Sequence, residues 1–270
     1  MEDLFIFFIL GFVGLCCTWF LHLFHFDKKP LNRVNAGVLL LGLGLFFASI
    51  ILGRLLASVP PFFYSELISK YPSYIPWSQV GITLFSTTVL IYFSLLMKRQ
   101  GIDIWVSSRF YYFGIGASTW LFIFPIVLFV GHIAMFSVGM YYPEVFEIEQ
   151  LPVQSLKDQV NNPALFWALG ALVVIAVPVV EEILFRGLLH SWIRSWLGPL
   201  AAVVITAVLF SLAHYADIQS VGNVPFLVSI FTLAIFQSAL YERFRSLWAP
   251  IGLHSTYNFA TLMFIHYGIA

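Results

Sequence analysis

Residues 164–198 read ALFWALGALVVIAVPVVEEILFRGLLHSWIRSWLG. Positions 164–180 carry no charged side chain, and then Glu181, Glu182 and Arg186 fall within six positions. A charge at the centre of a bilayer costs about 2.5–3.5 kcal/mol on insertion scales, so charges embedded in such a run require a function or a partner. The run is long enough to cross about 30 Å of hydrocarbon, which takes about 20 mostly apolar residues.

The rest of the chain matches that reading. Of 270 residues, 60% are hydrophobic and 10% charged, and the mean hydropathy is +0.92. No soluble core needs that much hydrocarbon, so the chain reads as an all-α, polytopic membrane protein. Thirteen basic residues balance thirteen acidic ones, which argues against a nucleic-acid partner. Cys16 and Cys17 are adjacent in the first apolar run and read as packing residues without a redox implication. The start MEDLF lacks the basic region of a secretory signal, so the first run is expected to remain as a helix.

Eight stretches are candidate spans: 4–26, 34–57, 78–97, 112–141, 163–184, 199–215, 224–241 and 247–266. Helical spacing of apolar residues carries the fifth to about Leu197. Trp19, Trp77, Trp105, Trp167, Trp192, Trp196 and Trp248 lie near proposed ends, as interface anchors do. The longest connections, 58–77 and 142–162, are polar and contain proline. No internal repeat or soluble domain interrupts the pattern. The chain is expected to form one membrane domain, with 1–162 as a four-span scaffold and 163–270 as the catalytic helices.

Basic residues set orientation. Lys28, Lys29, Arg33, Lys98, Arg99, Arg109, Arg186, Arg194, Arg243 and Arg245 follow odd-numbered spans, against Arg54, Lys70 and Lys157 on the other side. That imbalance predicts both termini outside.

Three polar clusters lie in or beside the last spans: Glu181-Glu182-x-x-x-Arg186, Phe210-x-x-x-His214 and His254-x-x-x-Asn258. Residues four apart share a helix face, so Glu182 can pair with Arg186, and His254 and Asn258 can address one object. Glu181 lies about 100° around the helix from Glu182 and is not neutralised by the same arginine. Pro178 removes a backbone donor three residues before Glu181 and can kink or widen the helix. A carboxylate withdrawn from water becomes a stronger base. With His214 beside it, such a group can hold and deprotonate a water, while His254 and Asn258 can donate to the oxyanion of a tetrahedral intermediate. That is peptide hydrolysis without a serine or cysteine nucleophile.

EExxxR, FxxxH and HxxxN, in this order near the end of a multi-span chain, resemble the CPBP (Abi) family, which includes the type II CAAX prenyl endopeptidases and relatives linked to bacteriocin immunity. The resemblance covers about 163–266. It implies an intramembrane, glutamic-type endopeptidase with Glu181 as general base, His214 orienting the water, and His254 and Asn258 forming the oxyanion site. Glu182 and Arg186, with Phe210, would be structural. The implied partners are the bilayer and a peptide or protein substrate, prenylated or membrane-anchored. The implied location is a membrane, the plasma membrane in a prokaryote.

Simpler readings exist. An intramembrane Glu-Arg pair can merely pin helices, and His254 and Asn258 can be interhelical hydrogen bonders worth about 0.6 kcal/mol each. His22, His25, His132, His190 and His266 match no motif and read as packing or interfacial. No cofactor is expected. The alternatives are zinc held by Glu181, His214 and His254 as a His2Glu set, or a non-enzymatic immunity or binding protein.

Overall fold

The computed structural model describes residues 2–20, 22–26, 34–57, 74–107, 109–148 and 151–268. Lys28, Lys29, Arg33 and Lys70, which enter the charge count, lie outside the described residues. Every regular element among the described residues is a helix, as expected. The helices are α1 (Glu2–Phe20), α2 (Ala36–Ala57), α3 (Tyr74–Arg99), α4 (Tyr111–Gly139), the short α5 (Leu151–Lys157), α6 (163–197), α7 (199–212), α8 (Asn223–Phe244) and α9 (Trp248–His266).

Each of the eight expected stretches falls mainly on one of these helices. By length and composition, five helical runs can cross a membrane: Ala36–Ala57, Ile75–Arg99, Tyr111–Gly139, Pro163–Leu212 and Asp217–Phe244. The fourth of these contains a reversal. Gly198 adopts φ 81, ψ 177 inside it, a backbone open to glycine, and Pro199 starts the return leg. Two expected spans, α6 and α7, are therefore joined by a single residue. The chain is an integral, multi-pass membrane protein. Its exterior agrees: Leu40, Phe47 and Leu121 are exposed, while its buried charges are enclosed.

Local chemistry explains the ends of the elements. Pro163 opens α6 at a position where no amide is needed, and the Asn162 side chain accepts from the Leu165 amide at 3.3 Å. At one end of the bundle the 100–110 connection meets the turn before α9. Val106 bridges to Ser246, and Ser246 Oγ donates to the Ser107 carbonyl at 2.8 Å. On the α2–α3 seam, Ser49 Oγ donates to Ser86 Oγ at 2.9 Å.

The α4–α9 contact fixes α9. A Cβ on Gly116 would overlap the Ala249 carbonyl, and one on Gly252 would overlap the Phe113 carbonyl, so the two backbones meet through small residues. Gly252→Ala forces α9 away two residues before His254. It is expected to cost about 1–3 kcal/mol and to reduce activity. Gly114→Ala, with open space around the added carbon, should leave both unchanged. Thermal unfolding in detergent checks this, and equal midpoints for the two variants would refute the contact's importance.

Candidate active site

Glu181 and Glu182 end a short α-helical piece, Val177–Glu182, set between two π-helical stretches, Leu172–Ala176 and Ile183–His190. In a π turn each amide bonds back five residues, and such turns concentrate at functional sites. The first has a traceable cause. The Val177 amide reaches the Leu172 carbonyl across the widened turn. The next amide in that pattern would reach Val173, but residue 178 is proline and has none. The stranded Val173 carbonyl instead accepts from Asn258 Nδ2 at 2.8 Å. One hydrogen of the Asn258 amide is thus committed to the helix that carries Glu181, and Nδ2 holds a second.

Glu182 and Arg186 are fully buried. Arg186 Nη1 donates to Glu182 Oε1 at 3.0 Å. Its Nη2 donates to Gln237 Oε1 at 2.8 Å and to the Ala234 carbonyl at 3.2 Å. The guanidinium lies 4.5 Å from the centre of the Phe210 ring, within cation–π range. His254 Nδ1 is 3.0 Å from Glu182 Oε1. Glu182 therefore ties α6 to α9, while Arg186 ties α6 to α7 and α8.

Glu181 faces the other way. Its side chain is 21% exposed, with Oε1 3.8 Å from His214 Nε2 and Oε2 3.7 Å from His254 Nε2. Both distances are too long for a direct hydrogen bond, and Glu181 Oε2 has no partner among the described residues. His214 Nδ1 lies 2.8 Å from the Phe210 carbonyl, which can only accept, so this nitrogen carries the hydrogen. His254 Nδ1 faces the Glu182 carboxylate, already paired with Arg186, and carries its hydrogen too. The neutral imidazoles then turn bare Nε2 lone pairs toward Glu181. With both imidazoles neutral, a carboxylate and two acceptor nitrogens converge with no donor among them, an arrangement that a water beside the three groups would satisfy.

His214 is held at depth by what surrounds it. At 1.5 Å per residue, α7 rises about 21 Å, short of a full crossing, and His214 follows its last turn. Ser211 Oγ bonds the Leu227 carbonyl at 2.8 Å, tying α7 to α8. Asn223 accepts from the Ala216 amide at 3.1 Å and donates to the carbonyls of Ala216 at 2.8 Å and Ser220 at 3.1 Å, which closes the connection after His214.

Three cavities reach Glu181. One of about 320 Å³ is lined by His214, His254 and Asn258, with Val153 and Leu156 of α5 beside them. A second, of about 460 Å³, is almost wholly apolar and runs between α2 and α6 past Leu43, Phe46, Phe47 and Leu189. A third, of about 280 Å³, lies between α2 and α3 and contains Arg54. All the residues singled out from the sequence thus meet around one carboxylate or its buried neighbour.

Sequence reasoning missed Gln237 and a second buried cluster. Glu242 Oε1 accepts from Arg194 Nε at 2.6 Å and lies 2.8 Å from His190 Nε2. All three side chains are buried. His190 is therefore an ion-cluster residue rather than simple packing, and Arg194 is not a free loop charge. The available signal was the number of ionisable residues in apolar helices, each of which needs a partner. Among the described residues, no group of three or more His, Cys, Asp or Glu side chains is placed to hold a metal ion.

Residues 163–260 match the family described as Rce1-like, type II CAAX prenyl endopeptidase Rce1-like. No curated protein and no solved structure matches the chain.

Proposed function

We propose, from the match of residues 163–260 to the type II CAAX prenyl endopeptidase Rce1-like family, that the chain is a glutamate-dependent intramembrane endopeptidase. The observation that carries the reading is the partly exposed Glu181, with an unpartnered oxygen, 3.7 and 3.8 Å from two imidazole nitrogens, close enough for one water beside them to bond to all three groups. A water held there donates one hydrogen to Glu181 and one to His214 Nε2. As the water oxygen attacks the scissile carbonyl carbon, Glu181 takes its proton and the carbonyl π pair moves onto oxygen. The second Asn258 amide hydrogen donates to that oxyanion, and an Nε2–H on His254, whose Nδ1 is held by Glu182, would be the second donor. Collapse breaks the C–N bond, and Glu181 returns the proton to the departing amine. Glu182, Arg186 and Phe210 hold the elements in position.

The scaffold role of 1–162 belongs to the same reading, and the apolar α2–α6 cavity suits a lipid-modified or membrane-anchored substrate. Lys98, Arg99, Arg109, Arg243 and Arg245 gather at the end of the bundle joined by the Val106–Ser246 bridge. That gathering supports a cytoplasmic assignment for this end; in a prokaryote the membrane would be the plasma membrane.

The test compares membrane and secreted proteomes of cells producing wild-type or Glu181→Ala protein. New peptide termini confined to the wild type are expected, and their absence removes the endopeptidase reading. A chelator should leave cleavage unchanged; loss of activity restored by zinc would replace the metal-free mechanism. Asn258→Ala should lower kcat about 10²–10³-fold with little change in KM. A kcat at the wild-type level would leave Asn258 only its bond to Val173.

A further inference from the structure

A fourth cavity, of about 190 Å³, lies between α4 and α8 and stops short of Glu181. Its lining sets it apart from the other three. No charged side chain borders it, but four polar ones do: His132 of α4, Gln219 of the connection after His214, Ser229 of α8 and Tyr257 of α9. Phe226, Ile230 and Tyr257 also line the cavity that contains Glu181, His214, His254 and Asn258. The two spaces share that wall, and Tyr257 is its polar member.

The polar groups around this cavity call for an occupant. Gln219 is 3% exposed, and its side-chain amide has no partner among the described residues. The Tyr257 hydroxyl has none either. Ser229 Oγ donates to the Pro225 carbonyl at 2.9 Å, and His132 Nδ1 lies 2.7 Å from the Leu128 carbonyl, so the Ser229 oxygen and His132 Nε2 face the space as acceptors. The backbone is bent to place Gln219 there. Ser220 takes φ 44, ψ −125, a costly conformation for a residue with a side chain. The apolar Ile218 is left 80% exposed while the polar Gln219 is turned inward, the reverse of the usual order. Buried polar groups without protein partners are met by water. The occupant has to donate, accept and carry no charge, in a space that holds roughly six waters at about 30 Å³ each. A peptide segment is too large for it, and an ion would meet no opposite charge among the lining residues.

Each cleavage consumes one water, and the apolar α2–α6 cavity is a poor source of it. We propose that the α4–α8 cavity holds a standing group of waters that replenishes the one beside Glu181, with Gln219 anchoring them and the Tyr257 hydroxyl passing them through the shared wall. The proposal rests on the reading of Glu181 as the site of water attack. Gln219 and Tyr257 are positioning residues in it, acting on the supply of water and not on the scissile bond.

The test blocks and reopens the cavity in one folded protein. Ser229→Cys is introduced into the full chain, in which Cys16→Ala and Cys17→Ala have removed both native thiols. Methyl methanethiosulfonate attacks the thiolate, and a thiol in apolar surroundings stays protonated. The Ser229→Cys thiol should react at least about tenfold faster than a Leu121→Cys thiol on the exposed, lipid-facing side of α4, tenfold being one unit of thiol pKa. The added methylthio group then displaces water. It should lower kcat for a fluorogenic peptide about 3–10-fold, the range for one neutral hydrogen bond, and leave KM unchanged. Dithiothreitol should restore the rate. Gln219→Leu should show the same kcat loss without reagent while unfolding at the wild-type temperature, and Gln219→Asn should keep most of the rate. A Ser229→Cys thiol no faster than Leu121→Cys would mean a dry cavity. Full modification with kcat unchanged would mean that its water is not used, and a raised KM at unchanged kcat would make it part of the substrate site. Each of these overturns the proposal. Failure of the catalytic reading shows separately, as a Glu181→Gln protein that still cleaves, and thiol reactivity is measured without any cleavage.

Discussion

Glu181→Gln protein should reach wild-type abundance, unfold at the wild-type temperature and cleave about 10²–10⁴-fold more slowly, the range for loss of a general base. Glutamine fills the same volume and can still hold a water, but it cannot take its proton. Folding should tolerate the change, because Glu181 carries no ion pair to an arginine or lysine among the described residues and its side chain is 21% exposed. Glu182→Gln should behave in the opposite way. Its Oε1 serves both Arg186 and His254, so the main loss should be in stability. Single-turnover cleavage and thermal unfolding, measured together in detergent, separate the two. A Glu181→Gln protein with near-wild-type rates would end its assignment as the base. Equal rate losses for both glutamines at unchanged stability would end the division of roles.

Arg186→Met should be the most destabilising single change, at about 3–5 kcal/mol, the cost of leaving one member of a buried ion pair without the other. Methionine keeps much of the packing but strands the Glu182 carboxylate and the Gln237 oxygen, both fully buried. Adding Glu182→Gln to Arg186→Met should recover part of the loss, since the uncompensated charge is then removed. Unfolding midpoints of the two single variants and the double variant decide the matter. Strict additivity would mean that the pair does not interact energetically.

Most of the architecture was legible because membrane helices announce themselves by length and apolarity. Each expected stretch is largely helical, and Glu181, Glu182, Arg186, Phe210, His214, His254 and Asn258 do come together. Three features were not legible, each for a physical reason. The π turns change the hydrogen-bond step without altering composition, so Leu172–Ala176 looks like any apolar helix; only Pro178 hinted at it. The partners of Arg186 and Arg194 lie 51 and 48 residues away, at Gln237 and Glu242, and helical spacing relates only neighbours a turn apart. Asn258, read for its place one turn from His254, spends part of its bonding on the Val173 carbonyl, a demand created by a proline on another helix.

The widened turn before Val177 also sets which way Glu181 faces. An α-helix advances about 100° per residue, so one extra residue in a turn rotates everything after it by about the angle that separates Glu181 from Glu182. Without the widening, Glu181 would turn to the buried direction that Glu182 now takes, and Val180 would face the opening. The exposure of Glu181, on which its proposed acid–base role depends, is therefore set by helical phase. The amide of Asn258, by occupying the carbonyl that Pro178 leaves vacant, holds that phase in place.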